Sequence, residues 1–195
     1  MLEGAAAGTS SAAVTVDGVA GCSSPDPLLS PPQGQGTVAL ELLDECPQLD
    51  AIVVPLGGGG MISGIAIAAK ALKPSIRIIG AEPELAGDAA ASKRTGLIQP
   101  QMPPVTIADG LRGTLGPLTF PIVRDLVDEI VLVSEADIAA HMRLVWERMK
   151  LTIEPSAAVG VAVACGDWMR KQKDHADVGV VLCGGNVDLS SLPFA

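Results

Sequence analysis

The run Ala51-Ile-Val-Val-Pro-Leu56 is continuously apolar, and four glycines, Gly57 to Gly60, follow it without a break. A short apolar run that ends in a turn reads as a strand buried on both faces, as in a parallel sheet. Met61 to Leu72 then carries a helical pattern, closed by Lys73-Pro74. Strand, glycine turn and helix in that order form the first part of a crossover unit, which returns the chain to pair in parallel.

The alternation continues along the chain. Thr37 to Cys46 reads as a helix with Val38, Leu42 and Cys46 on one face and Pro47 ending it. Ile76 to Ala81, Glu129 to Val133 and Val178 to Cys183 read as further strands. Leu118 to Leu126 is helical. Ser134 caps a helix through Lys150, with Ile138, Met142, Val145 and Met149 at core spacing. Pro155 opens another helix to about Met169, and residues 84 to 117 are irregular with short helices. The expected fold class is α/β: an open, mostly parallel twisted sheet with helices on both faces. No repeat of 20–50 residues is present.

Residues 1 to 32 are biased to Ala, Gly, Ser and Pro and lack a helical or strand period. They read as a flexible low-complexity tail, with a short Ala12–Val16 strand as the alternative. Residues 33 to 195 then form one domain, which is a normal size for a single core.

Charge and composition exclude several classes. Thirteen Lys and Arg face 22 Asp and Glu, a formal net charge of −9, which repels phosphate backbones and argues against a nucleic-acid partner. Aromatic residues are 2% and Tyr is absent, so platforms for stacking bases are missing. The cysteines at 22, 46, 165 and 183 form no C-x-x-C pair, which argues against zinc and for a reducing compartment. No apolar run reaches the ~20 residues of a membrane span. The first basic residue is Lys70, so no positive leader region precedes it, and the expected location is cytoplasmic.

In an open parallel sheet, ligands bind outside the carboxyl ends of the strands. Two of the four expected strands end there in glycine loops: Gly57–Gly60, and Gly184-Gly185 followed by Asn186, the only Asn in the chain. Glycines let the backbone approach an anion, and the helix start offers free N–H groups, so a phosphate is the natural guest. The alternative is a tight turn with no ligand. A P-loop is excluded, because no Gly-Lys-Ser/Thr follows. A dinucleotide fingerprint in the register Gly58, Gly60, Ser63 lacks its third glycine. Glu82 nevertheless stands about 20 residues on, where a ribose-binding acid belongs. A dinucleotide-binding oxidoreductase domain therefore stays open from the residues alone.

A further set of motifs points to a family. These are Gly34-Gln-Gly-Thr-Val-Ala-Leu-Glu41, Val54-Pro-Leu-Gly-Gly-Gly-Gly-Met61, Ala81-Glu-Pro83 and Thr106-Ile-Ala-Asp-Gly110, then Val145-Trp-Glu-Arg-Met-Lys150, Ile153-Glu-Pro-Ser-Ala157 and Leu182-Cys-Gly-Gly-Asn-Val-Asp188. In order and over residues 33 to 194, this set resembles the serine racemases. Those are fold type II (tryptophan-synthase-β-like) pyridoxal-phosphate enzymes, alongside the serine/threonine dehydratases.

The resemblance implies a site. Gly57, Gly58, Gly59, Gly60 and Met61 would cradle the phosphate of pyridoxal 5'-phosphate. Gly110 would pack against the cofactor, Glu154 would lie near its ring, and Asn186 would belong to the same binding set. Cys183 falls where the family places Ser or Cys beside the pyridine nitrogen; a neutral thiol there would leave that nitrogen largely unprotonated. Read without the resemblance, Glu154 suits a helix start and Cys183 a buried small hydrophobe. Glu82, Ala86 and Asp88 match the family's divalent-metal site, suited to Mg²⁺ or Ca²⁺; alone, Glu82 reads as a surface acid and Asp88 as a helix cap. Lys150 and Asn186 match two contacts to a nucleotide held at the subunit interface of some members. The implied substrates are L-serine and L-threonine, giving D-serine, or pyruvate and ammonia from L-serine. A homodimer, or association with a full-length homologue, is the implied assembly.

The family's Schiff-base lysine, in a Ser-x-Lys-x-Arg stretch ahead of the glycine loop, has no counterpart here, since no Lys precedes residue 70. Ser92-Lys-Arg-Thr-Gly96 mimics that stretch but follows the loop, and reads as a surface turn. No residue of this chain is therefore assigned a catalytic role. The expectation is the C-terminal part of such an enzyme, inactive alone: a fragment, a chain completed by another, or a non-catalytic module on the same fold.

Overall fold

The computed structural model describes residues 10–15, 34–100 and 103–194; of 10–15 it describes the backbone. The strands are β1 (Ser10–Thr15), β2 (Ala51–Pro55), β3 (Arg77–Pro83), β4 (Glu129–Val133) and β5 (Asp177–Leu182). The helices are α1 (Thr37–Glu45), α2 (Gly60–Leu72), α3 (Asp88–Thr95), α4 (Thr119–Leu126), α5 (Glu135–Arg148), α6 (Pro155–Cys165) and α7 (Asp167–Arg170). The strands form one sheet in the order β1-β5-β2-β3-β4, and every pairing is parallel.

Alternate residues of the central strands feed two cores, as the two-residue period of a strand requires. Ala51 and Val53 of β2, Ile79 and Ala81 of β3, and Val178, Val180 and Leu182 of β5 face one core. There they meet Ile138, Met142 and Val145 of α5 and most of α6. Ile52 and Val54 of β2, Ile78 of β3 and Val181 of β5 face the other, with Leu42 of α1, Ile62 and Ile65 of α2, and Val123 of α4. Helices on both faces are thus the direct result of central strands with apolar residues on both sides. Each fully buried Ile or Val contributes about 1.5–3 kcal/mol over an exposed one.

The amino ends of the central strands are tied by charge. Lys70, in the last turn of α2, donates to the Ile76 carbonyl at 2.6 Å and to Asp128 Oδ2 at 2.8 Å. The same Asp128 oxygen accepts the Ile78 N–H at 2.7 Å. This fixes α2 against the sheet and so aims its opposite end, the glycine end, at the carboxyl edge.

Most boundaries fall within a residue or two of those expected, a normal scatter for element ends. Four features differ in kind. Within 1 to 32, Ser10–Thr15 is a strand, near the Ala12–Val16 alternative; it pairs along β5 from Ser10 opposite Asp177 to Thr15 opposite Leu182. The other residues of 1 to 32 lie outside the described residues. β3 runs on to Pro83, which places Glu82 inside a strand rather than on the surface. The helix expected from Pro155 to Met169 breaks at Gly166, whose extended ψ of 174° ends α6 before α7 starts. A Cβ on Gly166 would lie 2.5 Å from the Ala162 carbonyl oxygen, so the break depends on glycine. Finally, Ser92–Thr95 is the end of α3, capped by Gly96 at φ 74°, not a surface turn.

No helix among the described residues is long and apolar enough to cross a membrane.

Candidate functional site

β2 and β5 are neighbours, so their two glycine loops leave the carboxyl edge of the sheet side by side. In the first loop, Gly59 takes φ +83° and precedes α2. A Cβ on Gly59 would meet Leu115 Cδ2 at 2.6 Å and Thr119 Cβ at 3.0 Å, whereas one on Gly60 would meet nothing within 4 Å. The loop is packed tightly on one side and open on the other. The first hydrogen bond of the helix start runs from the Ser63 N–H to the Gly59 carbonyl, at 3.0 Å. Among the described residues, no group accepts a hydrogen bond from the N–H of Gly58, Gly59, Gly60 or Met61. Unpaired N–H groups at the positive end of a 13-residue helix are an arrangement that can hold an anion. Met61 is half-buried beside it.

The second loop is shaped by Glu154, the residue before α6. Its carboxylate Oε2 accepts the Asn186 N–H at 3.0 Å, and its own N–H donates to the Gly184 carbonyl at 3.0 Å. A Cβ on Gly184 would stand 2.6 Å from that carboxylate, and one on Gly185 would stand 2.5 Å from the Thr152 carbonyl oxygen. The two glycines let the loop close over the α5–α6 turn. Cys183, at the end of β5, has its thiol pushed up to about 12, first by removal from water and then by the Glu154 carboxylate. It is a neutral group at physiological pH.

The segment 109–114 joins the two loops. The Gly110 N–H donates to Ser156 Oγ at 3.1 Å, and a Cβ on Gly110 would lie 2.9 Å from that oxygen and 3.5 Å from Glu154 Oε1. One residue on, Leu111 Cα is 3.0 Å from where a Gly57 Cβ would stand. Gly57–Gly60, Gly110, Glu154, Cys183 and Asn186 are therefore brought to one stretch of the sheet edge. Ser156 and Thr119 belong to the same set and were not singled out from the sequence. Thr119 Oγ1 donates to the Gly58 carbonyl at 2.9 Å.

Glu82, Ala86 and Asp88 form a second, separate group. Glu82 is 1% exposed; Oε1 accepts the Ala89 N–H at 2.8 Å and Oε2 the Ala90 N–H at 2.9 Å, at the start of α3. Burial raises its carboxyl to about 7, and the Asp88 charge adds to the rise. Asp88 is also buried and also raised, mainly by burial, and Oδ2 accepts the Leu115 N–H at 3.1 Å. Among the described residues no lysine or arginine bonds either carboxylate. Two buried acids without a cation are a donor set that suits a hard ion. Among the described residues no cluster holds three or more His, Cys, Asp or Glu side chains. With its oxygens buried against α3, Glu82 is not presented to a ribose, as the dinucleotide alternative requires.

Lys150 is exposed, just past α5, and among the described residues is the non-glycine residue with positive φ, at 60°. Asn186 is exposed, with its N–H on Glu154.

The family model described as pyridoxal-phosphate dependent enzyme matches residues 20–184. The chain is similar to the serine racemase of Arabidopsis thaliana, 53% identical over 162 residues, covering 82% of this chain and 49% of that protein. It is 52% identical over 160 residues to the serine racemase of Homo sapiens, covering 81% of this chain and 47% of that protein. Among solved structures, maize serine racemase superposes with a TM-score of 0.79 at 49% identity, covering 80% of this chain and 49% of that one. The processed form of threonine deaminase isoform 2 from Solanum lycopersicum superposes with a TM-score of 0.74 at 33% identity, covering 80% of this chain and 44% of that one. The chain spans about half the length of the curated relatives it matches. The match of the family model over most of the sequence, on a sheet whose two glycine loops meet at one edge, places it: the chain belongs to the pyridoxal-phosphate dependent enzymes.

Proposed function

We propose that this chain is the cofactor-phosphate-binding part of a serine racemase or serine/threonine ammonia-lyase. The substrates would be L-serine and L-threonine, with D-serine, or pyruvate and ammonia, as products from L-serine. The observation that carries this reading is the row of unpaired N–H groups at Gly58–Met61, open at Gly60, in the loop that leaves the sheet beside the one following Cys183. About 50% identity to serine racemases supports the substrate class.

Gly57–Gly60 and Met61 would hold the phosphate of pyridoxal 5'-phosphate. Gly110, Glu154 and Asn186 would line the ring, and the neutral Cys183 thiol would face the pyridine nitrogen. When bound, the cofactor supplies an electron sink for the bonds at the substrate α-carbon. A neutral partner at the nitrogen weakens that sink and leaves proton transfer more dependent on flanking bases. No lysine of this sequence precedes the glycine loop, where the family places its Schiff-base lysine. Lys70 lies about 15 Å along α2 from Gly60, bonded to Asp128, while Lys73 bonds the Pro47 and Leu49 carbonyls. Lys93 bonds the Arg124 carbonyl. Turnover then needs a lysine from outside this sequence, and a full-length homologue is the proposed source; a homodimer is the other proposed assembly.

Glu82, the Ala86 carbonyl and Asp88 would take Mg²⁺ or Ca²⁺, which removes the cost of two buried charges without a counter-ion. Lys150 and Asn186 would contact a nucleotide. The proposed location is cytoplasmic.

Calorimetric titration of the chain with pyridoxal 5'-phosphate and with phosphate-free pyridoxal tests the reading. The phosphate form should bind at least about 10-fold more tightly, given charge-assisted bonds from several N–H groups. Equal affinities would overturn it.

A further inference from the structure

We infer that Thr119 is a positioning residue that sets the direction of the N–H groups in the anion-binding glycine loop; this rests on the cofactor-phosphate reading above. Thr119 opens α4, an element with no other part in the site. Its hydroxyl donates to the Gly58 carbonyl at 2.9 Å and accepts the Gly116 N–H at 3.1 Å. The Gly116 carbonyl, at 3.3 Å, is a longer alternative for the same proton.

The peptide between Gly58 and Gly59 is planar and trans, so its carbonyl and its N–H point in opposite directions. Holding the Gly58 carbonyl toward Thr119 turns the Gly59 N–H away from α4, toward the side that is open at Gly60. Four consecutive glycines provide no steric preference of their own between this orientation and its reverse. In the reverse orientation a carbonyl oxygen would face the anion. The Thr119 Cβ adds to the packing wall with Leu115, 3.0 Å from where a Gly59 Cβ would stand. The hydroxyl thus selects one orientation of the only peptide in the loop that it touches, at a turn whose φ of +83° glycine alone adopts without strain.

Thr119→Val keeps the shape and removes the donor; Thr119→Ser keeps the donor. Titrated with pyridoxal 5'-phosphate, the valine variant should bind about 10-fold more weakly than the wild type, the loss of one well-placed hydrogen bond. The serine variant should stay within about 3-fold. Pyridoxal, which lacks the phosphate, should not distinguish the three proteins. Valine-variant affinity within about 2-fold of wild type would overturn the inference. A wild type that binds both compounds equally sinks the cofactor reading instead. Thr119 is then decided without ligand, by NMR relaxation dispersion at the Gly59 and Gly60 amides. Microsecond-to-millisecond exchange that appears in the valine variant and not in the serine variant upholds it; identical profiles reject it. If the valine variant does not give a native circular dichroism spectrum, Thr119→Ala takes its place in both measurements.

Discussion

The indole Nε1–H of Trp146 donates to the Ile153 carbonyl at 2.9 Å, so α5 holds the residue immediately before Glu154. Phe194 meets the same indole edge-on, with ring centroids 5.7 Å apart and planes at 78°. The end of the chain therefore buttresses the turn that presents Glu154 to the Gly184 carbonyl and the Asn186 N–H. Trp146→Phe keeps a ring for Phe194 and deletes the donor. It should lower stability by about 1 kcal/mol and speed hydrogen exchange at the Asn186 amide. Unchanged exchange at that amide would show that the α5–α6 turn is held without the indole.

Gly184 and Gly185 are adjacent but differ in what an added methyl would strike. At Gly184 it would meet the Glu154 carboxylate, the far end of a flexible side chain, which can move away. At Gly185 it would meet the Thr152 carbonyl, part of a fixed backbone. Gly185→Ala should cost about 1–3 kcal/mol, the range for overpacking, and Gly184→Ala less. Gly184→Ala should instead weaken pyridoxal 5'-phosphate binding by displacing Glu154 from Asn186. Thermal denaturation of the two variants, with the reverse ranking as the contrary result, decides this.

Cys183 should resist alkylation. Its thiol sits at about 12, far above neutral pH, and the thiolate is the reactive form. Cys165 is exposed, though its thiol too is raised by burial. Iodoacetamide at mildly alkaline pH, followed by peptide mass spectrometry, should label Cys165 in the folded protein and Cys183 only after denaturant is added. Early labelling of Cys183 in folded protein would mean that water and reagent reach the sulfur, and that the thiol is not the neutral group assigned here.

The parallel sheet was legible because β2, β3 and β5 are apolar at nearly every position, a pattern that only burial on both faces explains. The glycine loops were legible because Gly57–Gly60 and Gly184-Gly185 each follow such a strand. Glu154 and Cys183 came from resemblance; their chemistry depends on a long-range contact that no local pattern records. Thr119 and Ser156 were missed for the same reason. Each is a hydroxyl in the first turn of a helix, an ordinary place for one, and its partners Gly58 and Gly110 lie 61 and 46 residues away. Thr119 falls in the helix expected from Leu118 to Leu126, and nothing signalled what its hydroxyl would touch. Read without the resemblance, Glu82 was misplaced on the surface because the strand was ended at Ala81, two residues before its end at Pro83.

Glu82 makes a pH-dependent contribution with a definite sign. Its carboxyl is raised from 4.5 to about 7 in the folded protein. Between those values the folded state binds more protons at this group than the unfolded state, so stability falls as pH rises. The contribution is complete below about 4.5, declines through neutrality and levels off beyond about 7. At about 1.36 kcal/mol per unit, the whole change is about 3 kcal/mol. Glu82→Gln does not titrate, so the stability of wild type minus variant isolates the group from the other acids. That difference should fall by up to this amount from about pH 4.5 to about pH 8, measured by urea denaturation. If the proposed ion sits between Glu82 and Asp88, adding Mg²⁺ or Ca²⁺ at the upper end of that range should restore much of it in wild type and little in Glu82→Gln, because the ion would replace the missing counter-charge. A difference that stays flat with pH would show the carboxylate ionised in both states. A fall with pH that neither cation reverses would remove the metal assignment while leaving the buried acid in place.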